Sequence, residues 1–70
     1  MIYKNLEKAL NEKGLSVLQL SYLARISQPD LSRAVNGKKP FYPSWKKRVS
    51  EVLEIPEAEL FITTERDTNV

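Results

Sequence analysis

The sequence predicts an all-α chain: a compact bundle of five short helices built around a helix-turn-helix. Three observations carry this expectation. Apolar residues recur at helical spacing in separate short segments. Those segments are bounded by helix-start and helix-stop residues, notably Ser16, Ser27, Gly14 and Gly37. The stretch LSVLQLSYLARISQPDLSRAVNG, residues 15–37, reads as two short helices joined by a tight turn.

Taken in order, residues 2–13 form an amphipathic helix, with Ile2, Leu6, Ala9, Leu10 and the stem of Lys13 on one stripe and Gly14 as its end. Tyr3 lies off that stripe and is expected to pack against the C-terminal part. Residues 17–24 form a second helix capped by Ser16, with Leu20, Leu23 and Ala24 toward the core. One of Val17 and Leu18 is expected to pack under the first helix. Residues 28–36 form a third, capped by Ser27, with Pro29 in its first turn, where a missing N–H costs nothing. Leu31, Ala34 and Val35 are its buried stripe, and Asp30 complements the dipole at its N-terminus.

Residues 38–43, KKPFYP, contain two prolines and read as a loop, with Phe41 plugging the core. Residues 45–53 form a fourth helix capped by Ser44, with Trp45, Val49, Val52 and Leu53 inward. A short fifth helix spans 56–61, opening on Pro56; Ile55, Leu60 and Phe61 close the core. Residues 1–61 form the domain. Residues 62–70 form a C-terminal tail, expected to begin as a short strand at 62–64 or to serve as a dimer contact.

Composition narrows the function classes. Seventy residues make one small domain near the lower limit for a self-sufficient core. The chain has no Cys and no His, which removes disulfides, thiolate metal sites, the commonest zinc ligand and the commonest general base. With no Gly-rich phosphate loop and no paired carboxylates on a shared face, an enzyme is not expected, nor a cofactor or metal. No apolar run approaches the roughly 18 residues that span a bilayer. The N-terminal MIYKNLEK lacks a signal-peptide core, so the expected location is cytoplasmic. The formal charge of +2 is unevenly spread: +2 over residues 1–37, +5 over 38–48 and −5 over 49–70. The basic block directly follows the third helix. Lys46, Lys47 and Arg48 crowd the first turn of the fourth helix, against the dipole, an arrangement that a bound backbone phosphate would reverse.

The residue 15–37 stretch resembles the DNA-binding unit of the Cro and phage-repressor family, also called XRE-like or lambda-repressor-like. The matching features are the Leu15-Ser16 entry, apolar Leu20, Ala24, Ile26, Leu31 and Ala34, small Ser21 at the helix crossing, and closing Asn36-Gly37. Two positions depart: Val17 stands where the family commonly has Gln, and Arg25 where it usually has Gly. A left-handed Arg25 costs on the order of 1 kcal/mol. The resemblance implies a lambda-repressor-like DNA-binding domain whose third helix enters the major groove.

It also implies base reading from Gln28, Pro29, Ser32 and Arg33. Their side-chain types suit base recognition, since Gln pairs with adenine, Arg with guanine, Ser with either, and Pro touches a thymine methyl. The expected phosphate contacts are Arg25, Ser27, Asn36, Lys38, Lys39, Tyr42, Lys46 and Lys47. The expected partner is a double-stranded DNA operator, an inverted repeat bound by a homodimer, with no membrane or small-molecule ligand. The chain thus resembles a short phage Cro-type or immunity repressor acting in transcription regulation. Candidates for the dimer surface are the fifth helix and the tail, including Phe61 and Ile62. The alternative is a protein-interaction module on the same fold, antirepressor-like or antitoxin-like, which predicts little salt-dependent DNA binding.

Overall fold

A computed structural model describes residues 1–62. Within them the chain is all-helical: α1 (Lys4–Lys13), α2 (Val17–Ala24), α3 (Gln28–Val35), α4 (Pro43–Leu53) and α5 (Glu57–Leu60). Helix starts follow local chemistry. The Ser16 hydroxyl accepts from the Gln19 backbone N–H at 3.1 Å, and the Gln19 side chain accepts from the Ser16 N–H at 2.8 Å, a complete capping box. The Ser27 hydroxyl accepts from the Asp30 N–H at 3.3 Å. Helix ends are equally local. Four helices close through left-handed residues, namely Gly14, Arg25, Gly37 and Glu54. After each, the next residue's N–H reaches back five positions: Leu15 to Leu10, Ile26 to Ser21, Lys38 to Arg33 and Ile55 to Ser50.

These turns bring the apolar stripes together. The core consists of Leu6, Ala9 and Leu10 of α1, Leu20 and Ala24 of α2, Leu31, Ala34 and Val35 of α3, Val49 and Leu53 of α4, and Leu60 of α5, with Ile26 and Phe41 from the connections. α2 packs on both α3 and α4, and α5 packs on α1 and α4. Ser21 is fully buried on α2, and its hydroxyl donates to the Leu18 carbonyl at 2.6 Å, so no polar atom is stranded there. An aromatic cluster seals one side of the core. Phe41 lies 4.6 Å from Phe61, Tyr3 meets both edge-on at 5.6 and 5.4 Å, and half-buried Trp45 stands 6.4 Å from Phe41. Tyr3 thus joins the start of the chain to α5, and Phe41 fills the core as its loop position suggested.

Several expectations are corrected. α1 begins at Lys4, not at residue 2. Ile2 instead donates its N–H to the Val35 carbonyl at 2.8 Å and lays its side chain over Gly37. Leu23 is exposed, because the inward stripe of α2 is Val17, Leu20, Ser21 and Ala24, spaced i, i+3, i+4, i+7. Val17 packs on the core and Leu18 does not. Ser44 does not cap α4. Pro43, with its φ already helical, takes the first position, and Tyr42 precedes it in extended conformation. Pro56 stands just before α5 rather than within it, and Asn36 just after α3. The strand expected at 62–64 lies beyond the described residues except for Ile62, which is not in a strand. Among the described residues, no helix is long and apolar enough to cross a membrane.

Candidate nucleic-acid interface

α2 and α3, eight residues each, are joined by the three residues Arg25, Ile26 and Ser27. Ile26 is buried and pins this turn to the core. Burial of Leu31, Ala34 and Val35 then forces the opposite face of α3 outward. Gln28, Pro29 and Arg33 are exposed, and Ser32 is half-buried beside them. The side chains of Gln28 and Arg33 make no hydrogen bond or ion pair with described residues, so their donors and acceptors remain available.

The expected phosphate contacts fall into three sets. Lys38 and Lys47 are exposed, with ammonium groups uncommitted among the described residues. A second set is engaged internally. Lys39 Nζ lies 2.9 Å from Asp30 Oδ1, with the side chain about two-thirds covered, and 5.7 Å from the Trp45 ring. This pair ties the loop to α3. The Lys39 ammonium and the Ser27 hydroxyl hold the Asp30 carboxyl below the ordinary carboxylate value, and the Arg33 charge adds to the effect. Lys46 places its ammonium 5.6 Å from the Phe61 ring. Tyr42 stands edge-on to Trp45 at 4.7 Å. The Asn36 amide donates to the Ser32 carbonyl at 2.9 Å, and the Ser27 hydroxyl is the α3 cap.

Arg25 stands apart. With Arg48 it lines a groove between α2 and α4, and Arg48 Nη1 donates to the Arg25 carbonyl at 3.1 Å. Because α4 starts at Pro43, Lys46 alone of the three expected cations falls in its first turn, and Lys47 and Arg48 fall in the second; the helix start carries no acid in its first turn and no side-chain cap.

Three features go beyond what the sequence led us to expect. The Gln19 half of the capping box at Ser16 is one that the Ser-x-x-Gln spacing does signal. The Asp30–Lys39 pair links residues nine apart across a turn, and nothing local announces it. The bond from Arg48 to the Arg25 carbonyl depends on how α4 crosses α2. Set against known protein families, characterised proteins and solved structures, the chain matches none.

Proposed function

We propose that the protein is a sequence-specific double-stranded DNA-binding regulator of the Cro-type repressor class, acting as a dimer on an inverted-repeat operator. The observation that carries this reading is the outer face of α3. It presents Gln28 and Arg33 exposed and uncommitted, on a helix whose other face is buried, preceded by a three-residue turn from α2. That is the form a major-groove reader takes: a rigid helix with free bidentate donors and acceptors along one side. Lys38 and Lys47 supply free cations for the phosphate backbone. Lys39 has a different part. Asp30 already neutralises it, so it braces the loop against α3 and contributes little to counterion release.

The test is selection from a random double-stranded library, followed by affinity measurements across salt. An enriched inverted repeat with a steep salt slope is expected. Arg33→Ala should then cost about 1–3 kcal/mol at one base pair of each half-site, whereas Lys38→Ala should weaken all sequences alike and lower the salt slope by about one per subunit. No enriched sequence and a flat salt dependence would overturn the reading in favour of a protein-binding module.

A further inference from the structure

Away from α3, the exposed apolar surface gathers on α2. Leu18, Tyr22 and Leu23 are 45%, 71% and 55% exposed, three of the five large exposed hydrophobic residues among those described. Leu18 and Tyr22 lie one turn apart, and Leu23 follows at the edge of a groove of about 500 Å³ between α2 and α4. The groove is lined by Leu23, Ala24, Arg25, Arg48, Glu51 and Val52. Its charges are of both signs. Arg48 and Glu51 stand three residues apart on α4, and neither they nor Arg25 form an ion pair with described residues.

We propose that this groove is the surface through which two copies of the chain pair about a two-fold axis. A two-fold contact uses the same patch twice, so the patch must be complementary to itself. A patch with a cation and an anion about one turn apart on one helix meets that condition. Antiparallel approach of two α4 helices sets each Glu51 against the partner's Arg48, and removes Leu23 and Val52 of both copies from water. An acidic peptide or a nucleic acid would meet Glu51 unfavourably and leave the apolar residues uncovered. Among the described residues, the end of α5 offers less: Phe61 is spent on Tyr3 and Phe41, leaving Ile62 as the large exposed apolar residue there. The inference supplies the contact that the dimeric DNA-binding reading needs, but it is tested without DNA, so either can fail alone.

Sedimentation equilibrium on the full chain decides it. The wild type is expected to show a reversible monomer–dimer equilibrium. Glu51→Arg makes the rim uniformly basic, and Leu23→Asp places a charge in the apolar contact; each should weaken the dimer by about tenfold or more. Both leave the bond from Arg48 to the Arg25 carbonyl in place, and circular dichroism checks that both remain helical. Arg48→Glu leaves Arg25 as the one cation among the groove's lining residues and removes the bond to the Arg25 carbonyl, so its helicity is checked in the same way. An equimolar mixture of Arg48→Glu and Glu51→Arg chains should recover association as a heterodimer. A wild type that stays monomeric to millimolar concentration would overturn the proposal. So would a dimer that Glu51→Arg and Leu23→Asp both leave intact.

Discussion

Arg25 and Glu54 each hold a left-handed backbone, at φ 58° with ψ 45° and 38°. For a residue with a Cβ this conformation costs about 1–2 kcal/mol. Glycine removes that cost but widens the unfolded ensemble by about 0.4–1 kcal/mol. Arg25→Gly should therefore stabilise the domain by a net of about 0.5–1 kcal/mol, raising Tm by about 2–8 °C for a domain of this size. The bond from Arg48 ends on the Arg25 carbonyl, which glycine retains, so no tertiary hydrogen bond is lost. Glu54→Gly is the matched control: it has the same backbone geometry on a different helix, far from the α2–α3 turn in sequence. Thermal and urea unfolding followed by circular dichroism would read both. Equal stabilisation is expected. Destabilisation by both would show that no strain resides at these positions. Stabilisation by Glu54→Gly alone would mean that the Arg25 side chain, not its backbone, matters most in the turn.

Gly37→Ala should destabilise by about 1–2 kcal/mol, because its φ of 77° is left-handed and a new Cβ would lie 3.2 Å from Ile2 Cδ1. Adding Ile2→Ala should not restore the conformational part, which urea titration of the double variant would reveal. Phe41→Ala should cost about 3–5 kcal/mol by emptying the centre of the aromatic cluster. That is a large share of the roughly 5–15 kcal/mol that holds a native domain together, so a sharply lowered urea midpoint is expected. Asp30 has its carboxyl pKa lowered in the native state by Lys39 and Ser27. Its contribution is therefore complete above the ordinary aspartate value and lost as pH falls through the lowered native one. The stability gap between wild type and Asp30→Asn should be constant near neutrality and close only in strong acid, as acid titration of both would show.

Much of this fold is written in short-range chemistry. Ser16, Ser27, Gly14 and Gly37 act on neighbours within five residues, so their helix boundaries follow from the sequence itself. Elsewhere, distant packing chooses between local options. Leu23 has helical spacing from Leu20, yet α2 turns its smallest polar residue, Ser21, inward, and Leu23 falls outside the contact. Ser44 is a good cap by type, but Pro43 just before it is an equally good first residue and the chain uses that. The polar stripe of α3 was legible because burial of its other face dictates it. The commitments of Lys39 to Asp30 and Lys46 to the Phe61 ring were not, since both depend on how the loop and α5 fold back.

The docking of Ile2 onto Val35 and Gly37 has a practical consequence. The chain's first residues leave the domain beside the C-terminal end of α3, next to Lys38. Any segment preceding Met1, natural or added for purification, would emerge at the border of the surface proposed to meet DNA. An acidic or bulky tag there would weaken binding for reasons unrelated to the protein's own contacts, while a short basic one would mimic affinity the domain does not have. Tests of the proposed DNA binding thus call for any handle to be placed away from this end of the domain.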